Sequence, residues 1–463
     1  MTSPRSHTPA LPITPLHHPL RATVRVPGSK SLTNRALAVA ALADGPTTLT
    51  NALFSDDSGY FADCLQSLGF NLEVADFQSL VVVHGLDGRI PTNQAELFVG
   101  NAGTAARFLT AFATLGHGEF VIDGNERMRQ RPIGDLVEAL NQLGARVEAS
   151  PPGFATPLSW PRTSRPGEGG RGGEACPPVR VQAGGLPGGA ARVAGDTSSQ
   201  FLSALLMIAP YAQSPVELIV TGELNSKPYV DMTVALMADF GVTIEREGYE
   251  RFRVTPQRYR ALKEYAIEND ASAASYFFAA PAICGGSVRV QNISRRSRQG
   301  DIAFLDVLTQ MGCAVTEGDD WIEVAGAIQA KGPHSGESPL RGVDADMRDI
   351  PDTAQTLAAI APFADSPTTI RGIASARVKE TDRVAATCNE LRRLGVTVEE
   401  YADGLKIYPC SNLQPANIQT YDDHRMAMAF ALIGLRAEGV VIENPGCVSK
   451  TFPNYFEVLE SLK

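Results

Sequence analysis

The stretch Ser31–Asn51, SLTNRALAVAALADGPTTLTN, decides the fold, because its pattern returns five more times along the chain. Polar residues open a run of small and apolar residues, and a turn connects this run to a β-branched segment with a polar end. The run predicts a helix that is apolar on nearly all sides and therefore buried, and the β-branched segment predicts a strand. The other copies are GTAARFLTAFATLGHGEFVIDG (103–124), SSQFLSALLMIAPYAQSPVELIVTG (198–222), ASAASYFFAAPAICGGSVRVQN (271–292), PDTAQTLAAIAPFADSPTTIRG (351–372) and DDHRMAMAFALIGLRAEGVVIEN (422–444).

A second helix is predicted between successive copies, and its amphipathic pattern places it on the outside. Each complete copy of this second helix is followed by Gly, which suits a left-handed position just past a helix. Repeats in register indicate six α/β modules of roughly 70 residues, three in each of two domains. The endings are CLQSLGF, ALNQLGARV, LMADFGVTI, LTQMGCAV and LRRLGVTV, and FEVLESL at the end of the chain is a truncated sixth copy.

Composition bounds the class of protein. The 463 residues are too many for one core, and 44% hydrophobic with 20% charged residues is typical of a soluble globular protein. A net charge of −10 argues against broad nucleic-acid binding, and no apolar run is long enough to span a membrane. Seven scattered Cys without CxxC spacing, and His without HxxxH spacing, predict a cytoplasmic protein with no metal site.

Two segments fall outside the repeat. Residues 1–20 are rich in Pro, Thr and His, which predicts a flexible leader. Residues 151–190 hold 8 Pro and 10 Gly and lengthen the interval between the second and third copies to 98 residues. This composition predicts a loop insertion that is peripheral to function.

Pro27–Arg35, PGSKSLTNR, carries Lys and Arg but no acid and precedes the first apolar helical run. A basic loop that leads into a helix N-terminus is suited to binding an anion, because free N–H groups and the positive end of the helix dipole face it. A structural alternative is a simple turn in which Ser31 caps the helix. Similar polar starts on all six buried helices favour the anion site, and facing surfaces of two domains would form an anion-binding cleft.

Further cations and polar residues recur near equivalent repeat positions. Each one alone has a structural alternative as an ion-pair residue or a helix cap. Together, in an acidic protein, they predict a ligand with several negative charges, which Arg and Lys bind well. They include Asn101, Gly103, Thr104, Arg107, Arg127–Arg131, Ser198, Ser199, Gln200, Ser226, Lys227, Tyr229, Asp352, Lys379, Glu380, Asp382, Arg383, Asp423, His424, Arg425 and Lys450.

The chain resembles the 5-enolpyruvylshikimate-3-phosphate (EPSP) synthases. The resemblance extends from about Val24 to Leu462, except in the insertion. The resemblance implies a two-domain inside-out α/β barrel of the enolpyruvyl transferase type, with six βαβαββ units. It implies one domain of residues 29–268 and another of 21–28 plus 269–463, with hinge crossings near Gly28–Ser29 and Glu268–Asp270. The motifs that carry it are PGSKSLTNRAL, GNAGTAAR, RMRQRPIG, SSQFLSALLM, SKPYVDMT, DMRDIPD, RVKETDR, DDHRMAMAF and KTFPNYF.

The family reaction transfers the enolpyruvyl group of phosphoenolpyruvate to the 5-hydroxyl of shikimate 3-phosphate and releases phosphate. Addition and elimination through a tetrahedral intermediate need one group that acts as acid and then base, and another that takes the hydroxyl proton. The resemblance implies no cofactor and no metal, because positioning and electrostatics carry such catalysis. It also implies a cytoplasmic monomer of the shikimate pathway with small-molecule substrates and neither nucleic-acid nor membrane partners.

By motif position, the resemblance implies that Asp352 is the base at the hydroxyl and Glu380 the proton donor to the methylene. The resemblance also implies that Lys30 assists Glu380 and binds both substrates. The implied shikimate 3-phosphate ligands are Lys30, Ser31, Arg35, Ser198, Ser199, Gln200, Ser226, Tyr229, Asp352, Ser375 and Lys379. The implied phosphoenolpyruvate ligands are Lys30, Asn101, Gly103, Arg131, Gln200, Glu380, Arg383, Arg425 and Lys450.

One position departs from the family pattern: Ser375 stands where Asn is common, which weakens one shikimate-side contact. Gly103 keeps the small residue expected beside phosphoenolpyruvate, so we expect inhibition by glyphosate. Two alternatives remain at the level of sequence. One is the sister enolpyruvyl transferase acting on UDP-N-acetylglucosamine, although ERMRQRPIG lacks the loop Cys typical of it. The other is a non-catalytic phosphometabolite-binding protein, which would need cations but no paired carboxylates.

Overall fold

The computed structural model describes residues 9–150, 175–326 and 340–463. These residues form two compact units. The central unit is Gly28–Ile267, and the discontinuous unit combines Met1–Pro27 with Glu268–Lys463. The boundaries predicted from the sequence lie one residue further along the chain.

The elements alternate between helices and strands along most of the chain. The helices are α1 (Lys30–Leu42), α2 (Asp56–Ser67), α3 (Gly103–Ala113), α4 (Gly134–Gln142), α5 (Ser199–Ile208), α6 (Lys227–Asp239), α7 (Ala271–Cys284), α8 (Phe304–Gln310), α9 (Ala354–Ile360), α10 (Arg383–Arg393), α11 (His424–Gly434) and α12 (Tyr455–Glu460). The strands are β1 (Leu11–Pro12), β2 (Leu20–Arg25), β3 (Pro46–Thr50), β4 (Leu72–Ala75), β5 (Leu80–His84), β6 (Gln94–Phe98), β7 (His117–Asp123), β8 (Val147–Ser150), β9 (Cys176–Gly184), β10 (Gly189–Ala194), β11 (Val216–Thr221), β12 (Glu245–Glu247), β13 (Arg251–Val254), β14 (Glu264–Ala266), β15 (Gly286–Gln291), β16 (Ala314–Glu317), β17 (Trp321–Ala325), β18 (Asp344–Asp346), β19 (Thr368–Arg371), β20 (Val398–Tyr401), β21 (Gly404–Ile407), β22 (Ala416–Ile418) and β23 (Val440–Ile442).

Within the described ranges, the strands form six small sheets, three in each unit. The module β6–α3–β7–α4–β8–β9 shows the shared pattern: β6 and β7 pair in parallel across the buried helix α3, and the β8–β9 hairpin joins them antiparallel. The same order recurs in β10-β11-β13-β12 and β18-β19-β21-β20. The predicted six α/β modules are therefore confirmed.

The first module of each unit takes its first strand from a distant part of the chain. In the central unit, β14 pairs in parallel with β3. In the discontinuous unit, β2 pairs in parallel with β15. The β2–β15 pair therefore forms only after the chain has passed through the central unit, whereas β14 and β3 both lie within the central unit.

The predicted flexible leader is wrong for residues 9–20, whereas residues 1–8 lie outside the described part. Leu11 pairs antiparallel with Ile442, so β1 is the third strand of the last sheet, beside β22 and β23. The side chains of Ile13, Leu16 and Leu20 are buried in the core of the discontinuous unit. The last module ends at α12 without a closing hairpin, and β1 covers the strand edge that would otherwise be open.

The predicted insertion at 151–190 is too long. Residues 151–174 lie outside the described part of the chain, but Cys176–Gly184 forms β9, which pairs with both β7 and β8. Val179 and Val181 on β9 are fully buried. The Pro and Gly count misled here because Pro177 and Pro178 lie inside a strand and Gly188 and Gly189 lie at the start of β10.

The buried first helices and capped second helices follow the sequence closely. Every residue of α11 is buried, as predicted for its unbroken apolar run. The glycines after α2, α4, α6, α8 and α10 all have positive φ, between 84° and 102°, as predicted for a left-handed position. They are Gly69, Gly144, Gly241, Gly312 and Gly395.

A polar side chain caps four of the six buried helices. The side chains of Ser29, Ser198, Asp270 and Asp423 accept backbone N–H groups of α1, α5, α7 and α11. Helix α3 instead follows Ala102, and α9 continues from a 3₁₀ turn without a side-chain cap. Lys30 and Ser31 already belong to α1, so the predicted basic loop is the first turn of a helix and Ser31 is not its cap.

Candidate active site

Six charged residues of the discontinuous unit meet where α9, α10 and α11 begin. Asp352 lies in the 3₁₀ turn Pro351–Thr353, directly before α9. Lys379 and Glu380 follow the 3₁₀ turn Ala374–Val378, and Arg383 is the first residue of α10. The repeat places helix starts at equivalent points of neighbouring modules, and α9 packs against both α10 and α11. The cluster is completed by Arg425 on α11 and Lys450 at the end of the 3₁₀ turn Pro445–Lys450.

Three cations surround the Asp352 carboxylate. Lys379 Nζ donates to Oδ1 at 2.6 Å, and Arg383 Nη1 donates to the same oxygen at 3.1 Å. Arg425 Nη2 donates to Oδ2 at 2.8 Å. Asp352 is therefore held in one orientation by three cations at the starts of α10 and α11.

Arg383 connects Asp352 to the second carboxylate of the cluster. Its Nη2 lies 2.9 Å from Glu380 Oε2, and Lys450 Nζ lies 3.8 Å from Glu380 Oε1. Behind it, the buried Asp423 accepts from Nε at 2.7 Å and from Nη2 at 3.1 Å. This bidentate pair fixes the plane of the guanidinium, so that Arg383 holds Asp352 and Glu380 at a defined separation.

Burial and the neighbouring carboxylates shift the pKa values of Arg383 and Lys379 in opposite directions. Burial alone would lower the pKa of Arg383, but Asp423, Glu380 and Asp352 raise it above its usual value. Burial lowers the pKa of Lys379, and the attraction of Asp352 only partly offsets this. Burial also holds the pKa of His424 well below its usual value, so His424 is neutral beside this cluster at pH 7.

A third carboxylate, Asp301, was missed at the level of sequence. It lies in the 3₁₀ turn Gly300–Ala303, is 3% exposed and accepts a hydrogen bond from Ser272. Burial, followed by the charge of Asp352, raises the pKa of Asp301 to about 6, and Arg425 opposes this shift. In the sequence, Asp301 stands in the SRQGD stretch after the fourth repeat. An Asp at such a position is typical of an ordinary helix cap, so this pattern did not indicate a site residue.

In the central unit, Lys30 is the first residue of α1 and faces α2. Its Nζ lies 3.5 Å from the Oδ2 atom of Asp57, which is 1% exposed. Asp57 was also missed, because an acid in the first turn of a helix is ordinarily explained by the helix dipole. The buried pair holds the Lys30 ammonium at the N-terminal end of α1.

Arg35 lies one turn further along α1 and is fully buried. Its guanidinium carbon stacks 5.2 Å from the ring centre of Phe108, and its Nη1 donates to the Ser31 carbonyl at 3.0 Å. Nη2 donates to the Tyr229 carbonyl at 3.3 Å. Burial lowers the pKa of Arg35 to about 10, which still leaves it charged at pH 7.

The next helix start of the central unit holds a second Arg site. Arg131 Nη1 donates to the backbone oxygen of Asn101 at 3.0 Å and to its Oδ1 at 3.2 Å. Arg107 Nη2 donates to the Pro132 carbonyl at 2.7 Å and so fixes the loop that carries Arg131. A Cβ added to Gly103 would lie 2.4 Å from Arg131 Nη2, so a larger residue would displace the end of this side chain.

The remaining predicted residues of the central unit lie at the starts of α5 and α6. Ser198 caps α5, and Ser199 and Gln200 are its first two residues. Ser226 precedes α6 with a φ of 58°, and its carbonyl accepts the Tyr229 N–H at 3.1 Å. In contrast, Ser375 of the discontinuous unit makes no side-chain hydrogen bond with any described residue.

Residues 9–150, 175–326 and 340–463 hold neither a membrane-spanning helix nor a cluster of metal ligands. No helix there is long and apolar enough to cross a membrane. No group of three or more His, Cys, Asp or Glu side chains has the arrangement of a metal site. All seven cysteines are free thiols.

The sequence of the chain matches a family of known proteins. The family model described as EPSP synthase (3-phosphoshikimate 1-carboxyvinyltransferase) matches residues 16–164 and 169–459. The chain belongs to the EPSP synthase family. The match includes residues 16–20 and most of 151–190, so the expectation that the resemblance fails in those segments is wrong.

Curated relatives named 3-phosphoshikimate 1-carboxyvinyltransferase share about half of the chain's residues. The protein from Trichormus variabilis is 50% identical over 442 residues, covering 95% of this chain and 96% of the relative. The one from Shewanella loihica is 46% identical over 454 residues and covers 97% and 98%. A chloroplastic relative from Solanum lycopersicum is 47% identical and covers 95% and 82%.

The solved structures support the same fold. EPSP synthase from Acinetobacter baumannii superposes with a TM-score of 0.75 and 23% identity, covering 98% of both chains. The expected enolpyruvyl transferase fold is confirmed by this match. Family membership also makes the chain a transferase of the shikimate pathway, which leads to aromatic amino acids.

Proposed function

We propose that the chain transfers the enolpyruvyl group of phosphoenolpyruvate to the 5-hydroxyl of shikimate 3-phosphate and releases phosphate. The observation that carries this proposal is the pair of carboxylates, Asp352 and Glu380, bound to one guanidinium in a cluster of buried cations. A protein that only bound anions would need the cations, whereas acid and base steps need the carboxylates. Membership of the EPSP synthase family supports the same reaction.

The cations account for the charge of the substrates, because each substrate carries one phosphate and one carboxylate. We assign phosphoenolpyruvate to Arg383, Arg425 and Lys450 in the discontinuous unit and to Asn101, Gly103 and Arg131 in the central unit. Guanidinium groups bind phosphate and carboxylate oxygens in pairs, and buried ones do so without losing much side-chain entropy. Glu380, Lys30 and Gln200 complete this set, and both Lys30 and Gln200 are shared between the two substrates.

We assign shikimate 3-phosphate mainly to polar groups at the helix starts of the central unit. Arg35 supplies a buried positive charge, while Ser198, Ser199 and Gln200 supply hydroxyl, amide and backbone donors at the N-terminus of α5. Such helix starts bind phosphate through free N–H groups. The other assigned ligands are Lys30, Ser31, Ser226, Tyr229, Asp352, Ser375 and Lys379.

The acid and base steps are assigned to the two carboxylates. Asp352 takes the proton of the 5-hydroxyl as this oxygen attacks the cationic centre that develops on the enolpyruvyl carbon. Glu380 protonates the methylene in the addition step and removes a methyl proton in the elimination step, with Lys30 assisting. Arg383 holds Asp352 and Glu380 in their relative positions. The two carboxylates are therefore already oriented for proton transfer before the substrates bind.

The main alternative, transfer to UDP-N-acetylglucosamine, is not favoured. The matched family and the relatives at 46–50% identity are named for 3-phosphoshikimate. We further propose that the protein is a monomer of the cytoplasm, and its seven free cysteines suit a reducing compartment.

The reaction is tested by measuring phosphate release with purified protein. We expect release when phosphoenolpyruvate and shikimate 3-phosphate are both present and none with either alone. Mass spectrometry should detect the enolpyruvyl adduct of shikimate 3-phosphate. Release supported by UDP-N-acetylglucosamine in place of shikimate 3-phosphate would contradict the proposal, and binding without release would indicate a non-catalytic protein.

Replacing Gly103 by Ala should weaken inhibition by glyphosate by about tenfold or more, because the new Cβ would collide with the Arg131 guanidinium. The Arg131 end is flexible, so the variant should remain folded and active with a raised KM for phosphoenolpyruvate. The measurement is the glyphosate concentration that halves turnover at fixed substrate. A matched control is Gly59→Ala on α2, where a Cβ meets nothing within 4 Å. Unchanged inhibition in Gly103→Ala would remove this loop from the phosphoenolpyruvate site.

A further inference from the structure

Arg35 is a buried cation whose contacts in the structure are all with neutral groups. Four hydrogen bonds leave its guanidinium, and they end on two hydroxyls and two backbone carbonyls. Within the described ranges, no carboxylate lies at ion-pair distance from it. Burying an uncompensated charge is costly, and this cost is offset when an anion binds beside it. The groups that orient Arg35 therefore affect how strongly it binds an anion.

Two of these groups are hydroxyls that no family motif assigns to a substrate. Thr233 Oγ1 on α6 accepts from Arg35 Nε at 2.7 Å, and Ser203 Oγ on α5 accepts from Nη2 at 3.3 Å. The two hydroxyl oxygens lie 2.9 Å apart, and both residues are 0% exposed. They form a closed pair with no access to water.

Thr233 also contacts the backbone of the preceding turn of α6. Its hydroxyl lies 2.8 Å from the Tyr229 carbonyl, one helical turn back, and this carbonyl also accepts from Arg35 Nη2. One hydroxyl thus connects the guanidinium to the backbone of a residue that we assign to shikimate 3-phosphate. Phe108 of α3 closes the opposite face of the guanidinium.

The count of donors shows what this arrangement leaves open. A guanidinium has five N–H groups, and Thr233, Ser203, Ser31 and Tyr229 take four of them. The fifth is the second N–H of Nη1, on the side of the Ser31 turn at the start of α1. With the other four N–H groups bound to protein oxygens, the orientation of the guanidinium is fixed and one N–H group remains for an anion.

We propose that Thr233 is a positioning residue for shikimate 3-phosphate binding, with Ser203 as its partner: their buried hydroxyls orient Arg35 so that its remaining N–H and its charge face the substrate anion. The inference rests on the proposed function, because it takes Arg35 as a shikimate 3-phosphate ligand. Thr233 itself touches no substrate and acts through Arg35 and the Tyr229 carbonyl.

Replacing Thr233 by Val tests the proposal, since Val keeps the shape of Thr and removes only the hydroxyl. We expect the Kd of shikimate 3-phosphate, measured by calorimetry, and its KM to rise about tenfold, because Arg35 Nε loses its buried acceptor. The kcat and the KM of phosphoenolpyruvate should stay within about twofold of the parent values. Thr233→Ser restores a hydroxyl and should restore the Kd.

Thr110→Val is the matched control. Thr110 on α3 is also 0% exposed, and its hydroxyl donates only to the Ala106 carbonyl, one turn back, at 2.7 Å. It therefore reports the general effect of removing a buried Thr hydroxyl from the same unit. We expect a similar change in melting temperature and no change in the Kd of shikimate 3-phosphate.

A double-mutant cycle with Arg35→Lys separates this inference from the proposed function. If Thr233 acts through Arg35, Thr233→Val should weaken shikimate 3-phosphate binding in the parent but not in the Arg35→Lys background. A folded Thr233→Val variant with unchanged Kd, or an equal effect in both backgrounds, would overturn the inference alone. An Arg35→Lys variant that binds shikimate 3-phosphate normally would instead overturn the assignment of Arg35 as a ligand.

Discussion

Glu380→Gln should lower kcat by roughly a hundredfold or more, which is the usual scale for losing an acid/base group. Gln keeps the size of the side chain and can still contact Arg383 Nη2, which lies 2.9 Å from the carboxylate. It cannot deliver a proton to the methylene carbon or take one from the methyl group. The measurement is phosphate release at saturating concentrations of both substrates, together with the Kd of each substrate.

Glu390→Gln is a close control for this variant. Glu390 is also buried in the discontinuous unit, and it lies 3.1 Å from Arg393, three residues later, just as Glu380 pairs with Arg383. Its oxygens also accept from Tyr421 Oη and from the Gln419 N–H. We expect Glu390→Gln to reduce stability and to leave kcat within about twofold. Equal losses of kcat in both variants, or near-normal turnover of Glu380→Gln, would remove Glu380 from the mechanism.

Lys30→Ala should also lower turnover by roughly a hundredfold or more. The side chain is assigned both to substrate binding and to assisting the proton transfers, so kcat should fall and both KM values should rise. The change also leaves the buried Asp57 carboxylate without this ammonium, which should repel an anionic substrate. The assay is again phosphate release, at several concentrations of each substrate.

Two further variants separate these roles of Lys30. Lys30→Ala combined with Asp57→Asn removes the repulsion, so it should recover part of the affinity but not the kcat. Lys406→Ala, on strand β21 of the discontinuous unit, controls for loss of a positive charge elsewhere and should leave turnover unchanged. Near-parent kcat in Lys30→Ala would show that the residue contributes to binding only.

The repeated pattern predicted the larger part of the fold. Buried helices, outer helices and left-handed glycines recur in register, and each depends on local sequence, so one strand and two helices per module could be derived. The sequence could not show which strand begins the first module of each unit, because the pairing of β14 with β3 is set by contacts far apart in the chain. The short strand β1 was not predicted either, because two residues are too few to show the alternating hydrophobic pattern of a strand.

The candidate site was predicted most fully where cations cluster and least where acids support them. Lys379, Arg383 and Arg425 were expected near Asp352, and the structure brings them to it. Asp57 and Asp301 were missed, since a buried carboxylate and a helix cap have the same local sequence. Thr233 and Ser203 could not be found either, because a Thr or Ser within an apolar helix carries no signal until its neighbours on other helices are known.

The pairing of β1 with β23 has a consequence for synthesis on the ribosome. Leu11 meets Ile442, which is made 431 residues later. At roughly 5–20 residues per second, the first strand of the chain waits about 20–90 seconds for its partner. The central unit, by contrast, holds all its strands between residues 46 and 266, so it can complete its sheets while the C-terminal modules are still being translated. The apolar residues of the N-terminal segment are thus exposed for most of translation, and chaperones that bind nascent chains have a target there.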